Sequence, residues 1–180
     1  MINMEDSLRD NGRKSTAGDI AQIAIFTALT FALTLICIPG PRGGFVHFGN
    51  IPAFAAAILL SRKNGWIPGA VGMTIYDLAG GFLIWAPFTF VIRLLMGLVL
   101  STAVKGTEGR SAGRNAVGML LASAVMIAGY YLAEVVIYGN PVSPVLSIPG
   151  NVIQLAIGIA GTLLVVPAMR RIKGRRRSGI

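Results

Sequence analysis

The chain has 180 residues, 54% of them hydrophobic and only 13% charged, with a mean hydropathy of +0.70 and a net charge of +9. A soluble domain carries about 25% charged residues, so a water-facing globular surface is excluded. Most of the length falls in apolar blocks, which leaves no room for a soluble catalytic domain.

Residues 1–19 are polar and mixed in charge; they lack the apolar core of a cleavable signal and are read as an N-terminal tail. About 20 apolar residues cross a hydrocarbon core of roughly 30 Å. Six spans are expected, at approximately 20–38, 49–61, 65–84, 87–104, 115–138 and 145–168. They form one all-α integral membrane domain, a compact six-helix bundle over 20–169, followed by a basic tail over 170–180.

The first span carries Ala24, Ala28 and Ala32 at four-residue spacing, with Ala17 and Ala21 before them. Such a stripe lets helices approach closely, inside the bundle or against a partner. Cys37 is the only cysteine, so an internal disulfide is excluded and no cysteine metal cage is expected. The loop Pro39–Gly49 is the longest outer connection, and its glycines and prolines suit a segment that bends over something or moves. His47 stands alone there and reads as solvated or interfacial, with ligand contact as the alternative. The second span is short, either extended by Phe45–Phe48 or partly re-entrant. Gly65 and Gly69 in the third span read as internal packing positions.

Of the sixteen Lys and Arg, fourteen fall in the tails and in the second and fourth loops, including the run Arg170–Arg177. Only Arg42 lies in the opposite loops, and Arg93 lies within a span. The positive-inside rule then places both termini in the cytoplasm. The terminal run reads as a topology anchor that touches anionic lipid, and no nucleic-acid partner is expected.

An ionisable side chain within a span costs at least roughly 2.5–3.5 kcal/mol on insertion scales, so each one invites a functional reading. There are three: Asp77 in the third span, Arg93 in the fourth and Glu134 in the fifth. With the topology applied, all three sit roughly 6–11 Å from the outer boundary. Ser147, Asn151 and Gln154 share one face of the sixth span at the same depth, and Thr89 is one turn from Arg93. Tyr130, Tyr131 and Tyr138 share a face with Glu134. A purely structural ion pair of Arg93 with Asp77 or Glu134 is one reading. The convergence of acids, amides, phenols and Trp85 at one depth favours a small-molecule pocket opening outward, with Asp77, Trp85, Thr89, Arg93, Tyr131, Glu134, Asn151 and Gln154 as the expected contacts.

The chain has no phosphate-binding loop, no His-Glu-x-x-His and no Gly-x-Ser-x-Gly. No catalytic residue, metal site or cofactor is therefore expected in this chain, and it cannot hydrolyse ATP alone. The stretch 49–98 resembles a known family, the substrate-binding S components of energy-coupling factor (ECF) transporters of the riboflavin-type group. The resemblance rests on Gly49-Asn50-Ile51-Pro52, Gly65 through Gly72, Asp77-Leu78-Ala79-Gly80-Gly81, Trp85-Ala86-Pro87-Phe88-Thr89, and Arg93 with Gly97. The alanine stripe resembles the family's Ala-x-x-x-Ala surface.

The resemblance implies a six-helix subunit that captures a vitamin outside and docks on a transmembrane coupling subunit and two ATPase subunits. In that arrangement the partners hydrolyse ATP, and Ala24, Ala28 and Ala32 face the coupling subunit. Tyrosines, Trp85, an acid and amides suit a small heteroaromatic vitamin, whereas arginine suits a carboxylate or phosphate. Two rivals remain: a self-sufficient proton-coupled carrier with Asp77 or Glu134 as the titrating group, and an intramembrane enzyme, for which one loop histidine and scattered serines supply little.

Overall fold

A computed structural model describes residues 17–39, 45–107 and 109–177, with side chains described as far as Ile172. Arg42 and Ser178 lie outside the described residues. Six helices follow in chain order: α1 (Ala17–Leu35), α2 (Asn50–Leu59), α3 (Ile67–Ala79), α4 (Ala86–Ala103), α5 (Ala112–Tyr138) and α6 (Ile148–Arg177). A two-stranded hairpin, β1 (Cys37–Pro39) and β2 (Phe45–His47), links α1 to α2, and a 3-10 turn (Ser143–Ser147) precedes α6.

Local chemistry sets the helix ends. Proline opens α3 at Pro68 and α4 at Pro87, where its missing N–H costs no helical bond. Ser111 caps α5 by accepting from the Arg114 backbone N–H at 3.3 Å, and Gly139 ends the same helix in the left-handed conformation at φ 64°.

All six expected spans correspond to helices, but only α1, α4, α5 and α6, the last taken together with its 3-10 turn, are long and apolar enough to cross a membrane. At 1.5 Å per residue, α2 and α3 are roughly 15 and 20 Å long, short of a hydrocarbon core. The second span was expected to be short, and the third, expected over 65–84, is trimmed to Ile67–Ala79. The ends of the expected third span became connectors: Gly65 closes a turn onto the Ser61 carbonyl at 2.8 Å, and Phe82 turns back onto the Asp77 carbonyl at 2.7 Å. Helix α6 runs on to Arg177, so the first residues of the expected basic tail continue the helix.

The short helices are held by close backbone contact. A Cβ at Gly65 would lie 2.9 Å from the Ala57 Cα, and one at Gly72 would lie 2.8 Å from the Thr27 carbonyl, so small residues fold the connector before α3 onto α2 and join α3 to α1. Phe54, Ala55, Ala56, Ala57 and Ile58 of α2 are buried, together with Met96 and Leu100 of α4 and Met119 and Met126 of α5. On α1, Phe26, Thr30 and Thr34 face inward, and each threonine hydroxyl bonds the carbonyl four residues back. Ala24, Ala28 and Ala32 are all exposed on the other side of that helix.

Candidate functional site

Four-residue spacing on two helices builds the walls of one cavity. Trp85 at the N-cap of α4 is followed by Thr89 and Arg93, while Met126, Tyr130, Glu134 and Tyr138 run along one face of α5; all seven line a cavity of about 480 Å³. Asp77 and Tyr76, near the end of α3, close it on another side. The start of α6 contributes Asn151 and Gln154, and the 3-10 turn contributes Ser143 and Ser147. Phe45 and His47 of β2 cover it, with Phe82 beside them.

Arg93 is the deepest charge, 4% exposed. Its Nη1 donates to Asn50 Oδ1 at 2.6 Å and also points at the sulfurs of Met126, at 3.4 Å, and Met96, at 3.6 Å. The guanidinium lies 5.4 Å over the Tyr130 ring, a cation–π arrangement. Among the described residues no ion pair joins Arg93 to Asp77 or Glu134. Arg93 Nε, Asn50 Nδ2 and Asp77 Oδ2 are buried without a hydrogen-bond partner. Each such atom costs about 1–3 kcal/mol, more when charged.

Glu134 accepts from the Ser147 hydroxyl at 2.8 Å, which ties the 3-10 turn to α5. Thr89 Oγ1 and Tyr130 Oη lie 3.3 Å apart, joining the two walls. His47 Nδ1 accepts from the Gly49 backbone N–H at 3.2 Å, and its Nε2 lies 3.1 Å from the Gln154 side-chain nitrogen. With Nδ1 accepting, the neutral ring carries its proton on Nε2 and donates it to the Gln154 side chain, whose amide oxygen and not its nitrogen then faces the ring. Burial, reinforced by the Arg93 charge, pushes the His47 pKa down to about 3, so the ring is neutral at physiological pH. Aromatic rings complete the lining: Trp85 meets Tyr130 at 6.5 Å and Tyr138 at 6.2 Å between centroids, and Tyr76 stacks on Phe82 at 6.1 Å.

The structure brings together Asp77, Trp85, Thr89, Arg93, Glu134, Asn151 and Gln154. It does not bring Tyr131: that hydroxyl donates to the Pro141 carbonyl at 3.0 Å, outside the cavity, and Tyr130 holds the expected place. Both tyrosines lie within one turn of Glu134, but only Tyr130 keeps the spacing of four that also includes Met126 and Tyr138. Asn50, Tyr76, Phe45 and Phe82 were missed. Asn50 sits at a helix start, where an amide reads as a cap, and the aromatic residues of the hairpin and the α3–α4 connection carry no periodic signal. His47, read as solvated or interfacial with ligand contact as the alternative, is part of the cavity lining.

A helical bundle with spans long enough for a membrane, enclosing a cavity of buried charge, amides and aromatic rings, defines a membrane-embedded small-molecule-binding protein. Residues 14–171 match the family model of the ECF-type riboflavin transporter, S component, and the chain belongs to that family. A protein of Pyrococcus woesei, described as an uncharacterized protein in the gap 3′ region, is 33% identical over 133 residues, covering 73% of this chain and 87% of that protein. The thiamine precursor transporter HmpT of Lactococcus lactis subsp. cremoris (strain MG1363) is 26% identical over 155 residues, covering 83% and 86% of the two chains. A solved structure described as that of the S component of a bacterial ECF transporter has the same fold, with a TM-score of 0.70 at 21% identity, covering 87% of this chain and 98% of that one. The resemblance read from residues 49–98 is thereby borne out, and the family is one of transporter subunits, not of enzymes.

Proposed function

We propose that this chain is the substrate-specific binding subunit of an ECF-type uptake transporter in a prokaryotic plasma membrane, with both termini cytoplasmic. It takes a small water-soluble vitamin or vitamin precursor into the cavity from outside and delivers it through a transmembrane coupling subunit and two ATPase subunits. ATP is hydrolysed by those partners, and the chain itself needs no cofactor. The observation that carries this reading is Arg93, buried at the cavity with its Nε unpartnered and no carboxylate paired to it. A cation held for structure alone would be neutralised by Asp77 or Glu134, whereas one held for a ligand keeps a donor in reserve. The size of the cavity suits a vitamin-sized molecule, and the likeness to a thiamine precursor transporter agrees with a vitamin-type cargo.

The test is reconstitution. Liposomes holding the chain with its coupling and ATPase subunits should take up the labelled vitamin that most raises the thermal stability of the purified chain, and only with ATP inside the module. Uptake by the chain alone, driven by a pH gradient and indifferent to the ATPases, would establish the proton-coupled carrier instead.

A further inference from the structure

Helix α6 meets the segment 47–51 along one stripe of its own residues. Gln154, Gly158 and Thr162 follow at four-residue spacing and so share a face. Gln154 meets His47, and the Thr162 hydroxyl is shared between the Ile51 carbonyl at 3.2 Å and the Gly158 carbonyl at 2.7 Å. Between them Gly158, itself buried, lies against Asn50. A Cβ at Gly158 would stand 2.6 Å from the Asn50 Cβ and 3.6 Å from its Cγ, with the Phe54 ring at 3.4 Å. Carbons in ordinary contact are about 3.5–4.0 Å apart. The atom that would have to give way is a Cβ on the first residue of α2, not the far end of a flexible chain.

The same Asn50 side chain holds Arg93. Its Oδ1 accepts from Arg93 Nη1 at 2.6 Å, at the short limit of a charge-assisted N–H···O bond, which is about 2.7–2.9 Å. A push of Asn50 toward Arg93 therefore has no slack to use, and a push in any other direction turns or lengthens the bond. The sulfurs of Met96 and Met126 that also face Nη1 are weak acceptors and fix its direction poorly. We propose that Gly158 is a positioning residue of the site: by carrying no side chain it lets α6 seat Asn50 where the amide oxygen sets the aim of Arg93. Arg93 lines the cavity, whereas Gly158 and Asn50 lie behind it, so Gly158 acts through Asn50 and not by touching a ligand. The functional meaning of this aim rests on the binding-subunit reading; the aim itself is a property of the chain alone. Gly161 supplies the comparison, because the three atoms nearest to a Cβ there, the first at 2.5 Å, all belong to Ile51.

The test is nitrogen-15 NMR of the arginine side chains in the purified chain in detergent, which needs no ligand. A guanidinium held by Asn50 turns slowly about Nε–Cζ, so in the cold Arg93 should give separate Nη1 and Nη2 resonances, assigned by their loss in Arg93→Lys. Gly158→Ala should merge the two, whereas Gly161→Ala should keep them separate. Unchanged separate resonances in folded Gly158→Ala overturn the inference, and so does equal merging in Gly161→Ala or a merged signal in the unaltered chain. Melting temperatures give a second measurement. Gly158→Ala should lower the melting temperature by several degrees in the unaltered chain, but by less than about a third as much in an Asn50→Gly background, where the opposing Cβ is gone. Should Gly158→Ala alone fail to fold, folding of the pair Asn50→Gly, Gly158→Ala carries the same result. An equal loss in both backgrounds, or a pair that unfolds where Asn50→Gly alone folds, overturns the inference. The binding-subunit reading is judged by ATPase-dependent uptake, whose failure would leave these resonances untouched, so the two fail separately.

Discussion

Arg93 Nη1 and Asn50 Oδ1 lie 2.6 Å apart, joining α4 to the first residue of α2 at the cavity. Asn50 therefore aims the guanidinium, and the two residues should respond differently to change. Arg93→Met removes the ligand's charged donor, and a charge-assisted bond is worth about 1.5–3 kcal/mol, so binding should weaken more than tenfold in a protein that still folds in detergent. Asn50→Ala removes the aim and leaves a buried charge short of an acceptor, so it should lower both thermal stability and affinity. If Arg93→Met unfolds the protein and the residual folded fraction binds normally, the arginine is structural.

Tyr131 and Tyr130 offer a sharper contrast, being neighbours in sequence with different surroundings. Tyr131→Phe deletes one bond to the Pro141 carbonyl. It should cost about 1 kcal/mol of stability and leave ligand affinity within twofold. Tyr130→Ala removes the ring beneath Arg93 and beside Trp85, so affinity should fall more than tenfold. Titration of both variants, with melting curves alongside, checks the assignment of one phenol to the cavity and the other to its frame.

His47 gives the protein a pH dependence whose sign follows from its pKa. The folded value, about 3, lies below the 6.5 of an unfolded chain. Below pH 6.5 the unfolded chain therefore takes up a proton that the folded protein refuses, and stability is lost as pH falls from there toward 3, by at most about 1.4 kcal/mol per pH unit. Melting temperatures measured between pH 7.5 and 5 should drop, and the drop should be smaller in His47→Gln. An equal drop in both proteins would show that the imidazole does not carry the effect.

The exposed alanines of α1 test docking apart from capture. If Ala24, Ala28 and Ala32 meet the coupling subunit, a large side chain there pushes its helices away, because small residues are what permit close approach. The double variant Ala24→Trp, Ala28→Trp should fold and bind ligand normally, since both positions point away from Phe26 and Thr30. It should lose co-purification with the ATPases and lose uptake. Normal transport by this variant would mean that the stripe faces lipid only.

The sequence made the order and location of all six helices legible, because apolar blocks separated by charge are a strong signal in a membrane protein. The convergence of Asp77, Arg93 and Glu134 on one cavity was legible too, since rise per residue converts position along a helix into distance. What sequence left hidden were features set by neighbours. Hydropathy does not mark where a helix gives way to an apolar connector, so the third span read longer than α3 is. Nor does a periodicity of 3.6 separate positions three and four residues from Glu134, which is why Tyr131 read as a cavity residue. The bond from Asn50 to Arg93 joins residues 43 apart, and nothing local announces it.

Helix α2 has a further consequence. With Ala55, Ala56 and Ala57 between 0% and 2% exposed, it is solvated by other helices and not by acyl chains. Its length is therefore exempt from the thickness of the host bilayer. Asn50, at its start, keeps its height relative to Arg93 because α4 and α6 fix it, whereas a helix facing acyl chains must tilt or deform the bilayer when the thickness changes. The height of Asn50 is thus set by protein contacts and not by acyl chains, and its distance to Arg93 should be the same in thin and thick membranes.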